Sequence, residues 1–175
     1  MSELRTNRII PRDGLPSGAS GGIVQIKSVT KTDTFQTTSS SFVDVTGLSV
    51  SITPQSSSNK ILILVHLSGD GRSSQARANF RLMRGSTAIC IGDAAGSRER
   101  STFGIYRPND DHTTETASAV HLDSPATTSS VTYKIQVENG NQTGDNVSVN
   151  RAYSWSDSTA HPATTSSITV MEVTG

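Results

Sequence analysis

The sequence predicts an all-β protein: an antiparallel β-sandwich, jelly-roll-like, preceded by an extended N-terminal arm. Three observations predict this class. Apolar and polar residues alternate with a period of two along most of the chain, as they do on half-buried strands. Ser and Thr fill 50 of the 175 positions, with 28 and 22 residues, and no stretch has the apolar spacing of an amphipathic helix. Turn clusters divide the chain into roughly eight to ten short segments, which is typical of sandwiches and jelly rolls.

Residues 1–22 form the first segment, which we interpret as an extended docking arm. Pro11 and Pro16 exclude a helix, and no alternating run is long enough for a stable strand. A segment rich in Gly and Pro has little to offset its chain entropy, so we expect it to lie on a partner or on a neighbouring subunit. The residues predicted to dock it are an apolar pair with three flanking arginines: Arg5, Arg8, Ile9, Ile10 and Arg12.

Residues 23–175 form the predicted β-sandwich domain. Its clearest strands place every second side chain on an apolar face, and the intervening side chains are polar. Gly, Pro, Asn and Asp clusters between the strands supply the backbone conformations that turns need. The apolar sets are Leu48, Val50 and Ile52; Ala78, Phe80 and Leu82; Val131, Tyr133, Ile135 and Val137; and Val147 with Val149, followed on the same side by Tyr153 and Trp155.

Two segments do not alternate in this way. Residues 61–65 are apolar throughout, so the sequence predicts a central strand that is covered on both faces. Near the C-terminus, Ile168 and Val170 face one way while Met171 and Val173 face the other. We therefore expect the last strand also to be covered twice, with Met171 and Val173 at a subunit contact.

The charge of the chain sums to zero, with 15 Lys and Arg against 15 Asp and Glu. This balance argues against a nucleic-acid partner, which usually needs a basic excess. The charge is nevertheless uneven, since residues 70–107 carry +4 and residues 108–175 carry −6. Either these segments neutralise each other within one fold, or they form complementary patches between subunits. In the second case Arg77 and Arg81, which share one strand face, are subunit contacts.

No catalytic, cofactor or metal site is predicted, so we expect a protein that is not an enzyme. Residues 18–22 fit the text G-x-S-x-G of a nucleophile elbow, but Pro16 precedes them and a strand-like run follows, whereas the elbow needs a strand and then a helix. The four histidines lack the close spacing that a zinc site usually shows. Cys90, the one cysteine, excludes an internal disulfide and is expected to be a buried small residue.

No targeting or membrane segment is predicted either. The longest apolar run, residues 61–65, is far shorter than the roughly 20 residues that a spanning helix needs, so we expect no membrane insertion. The N-terminus has no apolar signal core, which predicts synthesis without secretion.

Aromatic side chains suggest a second class of function, a glycan-binding module. Flat aromatic faces with planar polar groups nearby suit sugar recognition. Tyr133 and Tyr153 alternate with core residues and are expected inside the domain. Tyr106, beside a proline, and Trp155, between serines, are the candidate glycan contacts at the surface.

Seven segments of the chain resemble segments of a known group of proteins. They are 4–14 (LRTNRIIPRDG), 21–25 (GGIVQ), 42–54 (FVDVTGLSVSITP), 58–62 (SNKIL), 82–87 (LMRGST), 123–127 (DSPAT) and 167–172 (SITVME). Together they resemble small virion structural proteins of marine tailed bacteriophages, such as cyanophages and pelagiphages. Similar proteins are tail-fibre-like or decorate the head. Residues 92–116 match nothing in this group.

The resemblance implies a non-enzymatic virion protein, made in the host cytoplasm. Its arm docks to capsid or tail proteins, and its sandwich projects from the particle. By analogy with phage fibres and knobs, the resemblance also implies a homo-oligomer, with a trimer favoured. A glycan-binding receptor-recognition module at a fibre tip is the alternative function.

Overall fold

The computed structural model confirms the predicted all-β fold. It describes residues 22–71, 77–106, 112–140 and 144–175, and these contain eleven strands and no helix. In chain order the strands are β1 (Ile23–Lys31), β2 (Phe35–Thr37), β3 (Val43–Ile52), β4 (Lys60–Gly71), β5 (Ala78–Arg84), β6 (Thr87–Ile89), β7 (Phe103–Ile105), β8 (Glu115–Asp123), β9 (Val131–Asn139), β10 (Val147–Val149) and β11 (Ser166–Val173).

The strands form two antiparallel sheets that pack face to face. The first sheet has the order β1–β11–β4–β8, and the short strands β10 and β2 continue from the C-terminal end of β4. The second sheet has the order β3–β9–β5, and β6 and β7 both pair with β5. The layers β1–β11–β4–β8 and β3–β9–β5–β7 have the strand order of a jelly roll, so the predicted jelly-roll-like sandwich is observed.

Alternate residues of both sheets point into one hydrophobic core. The predicted alternation holds on β3, β5 and β9, because the apolar set of each strand is buried. The largest fully buried apolar side chains include Leu48, Phe80, Leu82, Tyr133, Ile135 and Ile168. Sheet-on-sheet burial of this kind is the main contribution to stability in a helix-free fold.

Gly69 lets two strands of the first sheet approach closely. It lies in β4 opposite Val149 of β10. A Cβ atom at this position would lie 2.9 Å from the carbonyl oxygen of Ser148. The absence of a side chain therefore allows β10 to continue the sheet beside β4.

The structure corrects three expectations about individual segments. β4 is central, but only one of its faces is covered: Ile61 and Ile63 are buried, whereas Leu64 on the other face is 36% exposed. Trp155 does not share the buried side of β10, because that strand ends at Val149 and the chain turns at Asn150, with φ +60°. Cys90 is half-buried, not buried, because it follows the end of β6 in a turn with φ +54°.

Candidate functional site

The outer face of the first sheet carries an unusual set of side chains. The register places Ile26 of β1, Met171 of β11, Leu62 of β4 and Leu122 of β8 side by side in one row across the four strands. Neighbouring outward positions add further apolar residues. We call the whole set the apolar face: Ile23, Ile26, Leu62, Leu64, Val120, Leu122, Met171 and Val173.

This apolar face is open to solvent. Val120 is 68% exposed, Ile23 58%, Ile26 53% and Leu122 49%. Of the seven large hydrophobic residues that are exposed in the described part of the chain, five belong to it. Single exposed apolar residues are ordinary, but a contiguous apolar patch marks an interaction surface.

The outer face of the second sheet is polar, in contrast to the apolar face of the first. Its outward positions carry polar and charged side chains that bond to one another across strands. Lys134 Nζ lies 2.7 Å from Asp44 Oδ2, Arg81 Nε donates to Gln136 Oε1 at 2.9 Å, and Ser51 and Thr132 share a hydroxyl bond of 2.7 Å. The two outer faces therefore differ in composition, the first being apolar and the second polar.

A buried carboxylate holds the edge strand that carries Ile23 and Ile26. Glu172 of β11 is fully buried. Its Oε1 accepts from the backbone N–H of Gln55 (2.7 Å) and from Asn59 Nδ2 (2.6 Å), while its Oε2 accepts from Gln25 Nε2 (2.6 Å). These bonds join β1, β11 and the loop between β3 and β4, so they fix the corner of the sheet that supports the apolar face.

Trp155, a candidate glycan contact, lines a shallow pocket of about 360 Å³. Its indole is 38% exposed, and the Arg151 guanidinium lies 5.4 Å from the ring centroid. The backbone N–H of Ser156 donates to His161 Nδ1 at 3.1 Å, and the imidazole of His112 stacks on that of His161 at 5.0 Å. The other lining residues are Ser156, Asp157, Ser158, His161 and Ala163. The pocket thus combines an aromatic face with several hydrogen-bonding groups.

Tyr106, the other candidate glycan contact, does not line this pocket. It follows β7, is 43% exposed, and lies 5.4 Å from the guanidinium carbon of Arg77. The structure therefore does not bring the two predicted aromatic contacts into one cavity.

A charged groove, also of about 360 Å³, is a feature that sequence reasoning missed. Its most buried member is Glu138 on β9, which accepts from Asn79 Nδ2 at 3.1 Å. Burial is the main cause that raises the pKa of the Glu138 carboxyl. The charge of Glu99 raises it further, although Asn79 and Arg81 oppose the shift. Arg77, Ser97, Arg98 and Gly140 complete most of the lining.

The predicted subunit contacts do not lie together: Arg81 is on β5 of the second sheet, and Met171 and Val173 are on β11 of the first. Arg77 does not share the strand face of Arg81 as expected, because β5 begins at Ala78. Arg81 already has partners within its own chain, since its guanidinium lies 3.8 Å from the ring centroid of Phe42 in addition to its bond with Gln136. Met171 and Val173 are half-buried members of the apolar face. Among the described residues, the ion pair of Arg84 with Asp123 at 2.9 Å joins the basic and acidic segments inside a single chain.

The predicted docking residues Arg5, Arg8, Ile9, Ile10 and Arg12 lie outside the described residues. The sandwich itself includes Gly22, since its N–H donates to Thr174 Oγ1 (3.1 Å) and its carbonyl accepts from Thr174 N–H (3.0 Å).

The described ranges contain neither a cluster of metal-ligating side chains nor a helix that could span a membrane. No group of three or more His, Cys, Asp or Glu side chains there could hold a metal ion. In those ranges no helix is long and apolar enough to cross a membrane. The chain matches no protein-family model and no curated protein.

Proposed function

We propose that this chain is a non-enzymatic structural protein of a bacteriophage virion, docked by its N-terminal arm and projecting a β-sandwich as a tail-fibre-like or capsid-decorating module. The resemblance of seven segments to phage virion proteins supports this proposal. The jelly-roll architecture is compatible with it, because viral capsid domains and lectins use the same architecture, although fold alone does not determine function.

The observation that carries the proposal is the contrast between the two outer faces of the sandwich. The second sheet presents bonded polar pairs to solvent, whereas the first presents five exposed large hydrophobic side chains in adjacent rows. A contiguous exposed apolar patch, as on the first sheet, marks a site of interaction with another molecule. A structural role in a larger particle accounts for the apolar face without requiring a catalytic centre.

Mass spectrometry of purified virions from the encoding phage tests the proposal. We expect the protein to be present in stoichiometric amount.

Removing residues 1–21 should leave the sandwich folded, because the backbone hydrogen bonds between this edge of the sheet and the end of β11 begin at Gly22 and Ile23. The truncated protein should have an unchanged β-type circular dichroism spectrum and should no longer enter particles. Absence of the full chain from virions would refute the proposed function. If the truncated chain still enters particles, the docking site lies on the sandwich and not on the arm.

A second candidate function, recognition of a host glycan, is favoured by the Trp155 pocket. Sugars stack their apolar faces on exposed indoles and bond to nearby polar groups. We expect Trp155→Ala to reduce glycan binding at least about tenfold, since loss of one aromatic contact corresponds to about 1.4 kcal/mol or more. Glycan arrays measure this directly. Tyr106→Ala tests the other predicted contact separately, because Tyr106 is similarly exposed but lies outside the pocket. Unchanged binding by Trp155→Ala, or no glycan binding by the parent, would refute a site at Trp155.

A further inference from the structure

We propose that the apolar face is the surface through which this chain associates with further copies of itself. The inference rests on the proposed structural role and names the partner of that surface. The residues concerned lie on four adjacent strands, β1, β11, β4 and β8, so they form one continuous surface.

The absence of charge in the apolar rows favours a second copy over a charged partner. Within the described residues, the rows Ile26–Met171–Leu62–Leu122 and Ser28–Thr169–Leu64–Val120 contain no ionisable side chain. The charge of Lys60 lies at the rim of the face, in the bordering row Ile23–Val173–Lys60. A surface that meets a copy of itself cannot rely on one sign of charge, because like charges would face each other. An uncharged apolar centre avoids that repulsion and matches the composition of interface cores.

The hydroxyl groups in these rows can also be removed from water at a low cost in free energy. Ser28 and Thr169 bond to each other across β1 and β11 at 2.8 Å. Their hydrogen-bonding capacity is therefore partly met inside the sheet, which lowers the cost of removing water from them. Burying these bonded hydroxyls at a contact therefore costs less than burying unbonded hydroxyls would.

The face is large enough for a weak, reversible contact. Four strands about 4.8 Å apart and eight residues long, as in β11, cover about 19 by 26 Å, or about 500 Å² per copy. Two such surfaces bury about 1,000 Å² together, which reaches the area expected of a biological interface. Val120, which has the highest exposure of the large hydrophobic residues in the described part of the chain, lies on the edge strand β8, so a neighbouring copy can contact both the face and its edge.

Sedimentation velocity on the full chain, from low micromolar to several hundred micromolar, tests the inference. We expect a species of two or three times the 18.5 kDa monomer mass. The double variant Val120→Lys and Leu122→Lys should weaken association at least about a hundredfold, because it places like charges at the desolvated contact. Both side chains are about half exposed or more in the single chain, so the core should be unaffected.

Ser49→Lys with Ser51→Lys is the matched control. It places the same two charges, with the same spacing, at exposed positions of β3 on the second sheet, and it should leave association unchanged. Ile26→Lys on β1 tests the apolar face from its opposite edge, so the test does not depend on one variant folding. Circular dichroism should show the parent β-type spectrum for each variant that is compared.

Each outcome decides the inference. A monomer at every concentration, association that survives both Val120→Lys/Leu122→Lys and Ile26→Lys, or equal loss in the control would overturn it. The two proposals also fail separately. A protein that is present in virions but monomeric alone refutes the self-association surface only, whereas one that associates but is absent from virions refutes the proposed function only.

Discussion

Glu172→Gln is expected to lower the free energy of unfolding by about 3 kcal/mol, because hydrogen bonds to a buried charged group contribute about 1.5–3 kcal/mol each. The carboxylate accepts hydrogen bonds from the Gln25 and Asn59 side chains and from the Gln55 backbone N–H, and the backbone N–H of Ser56 also favours its charged form. The glutamine amide can still accept through its oxygen, but its NH₂ group would face one of the N–H donors that now bond to the second carboxylate oxygen. Urea denaturation at neutral pH measures the change as a lower midpoint.

The same residue predicts a pH dependence. Burial alone would raise the pKa of Glu172, but the donors from Gln25, Asn59 and two backbone N–H groups together outweigh it, so the pKa lies below its usual value of 4.5. A lowered folded-state pKa stabilises the protein above the unfolded-state pKa, and the contribution is lost as the pH falls through the folded-state value. The parent should therefore lose stability on acidification below about pH 4.5, and Glu172→Gln should lose less over the same range.

Glu138→Gln is the matched control, because it makes the same chemical change in a group whose pKa is shifted the other way. Burial raises the pKa of Glu138, so its ionised form is disfavoured in the folded state at neutral pH. Removing the charge should leave the free energy of unfolding unchanged or higher. If both substitutions destabilise the protein equally, the bonds to Glu172 are not the cause, and the account of that residue is wrong.

Asp123→Ala is expected to lower the free energy of unfolding by about 3 kcal/mol, since it leaves a buried hydroxyl and a cation without their acceptor. Asp123 ends β8 in the first sheet. Its Oδ2 accepts from Tyr133 Oη of β9 at 2.7 Å, and Arg84 Nη1 of β5 lies 2.9 Å from its Oδ1. The carboxylate therefore ties the two sheets together. Urea denaturation of the variant measures the loss.

A double-mutant cycle with Tyr133→Phe separates the hydroxyl bond from the ion pair. Tyr133→Phe alone should cost about 1 kcal/mol, and the double variant should cost less than the sum of the two single variants. Asp44→Ala removes the acceptor of the exposed pair with Lys134 and should cost less than about 1 kcal/mol. Additive single effects would show that Tyr133 and Asp123 are not coupled.

The periodicity of the sequence predicts most of the core. Leu48, Phe80 and Tyr133 are buried as their alternation indicates, because a period of two assigns each residue to one face of a sheet. The pattern does not give the strand order, since pairing depends on contacts far apart in the chain. Asp123 with Arg84 and Glu172 with Gln25 are such contacts, and no local signal marks them.

The environment of the outer face could be predicted only in part. The continuous run at residues 61–65 indicates apolar side chains on both faces of β4, and we interpreted it as a strand covered twice. One chain covers only the inner face, so Leu64 remains 36% exposed. Apolar residues at outward positions of β8, Val120 and Leu122, were a second signal that could have identified the same surface. The charged groove at Glu138 had no sequence signal, because β5, β9 and the residues near Glu99 meet only in the folded sandwich.

Hydroxyl-radical footprinting of the full chain tests the central claim, that copies of this chain cover the apolar face, most directly. The reactivity of Leu122 and Met171 should fall as the concentration rises through the range where sedimentation shows association, while that of Trp155 stays constant. Met171 and Leu122 lie in the same cross-strand row, so they should be protected together. Association that leaves both residues as reactive as in the dilute protein would contradict the account, because the contact would then lie elsewhere on the sandwich.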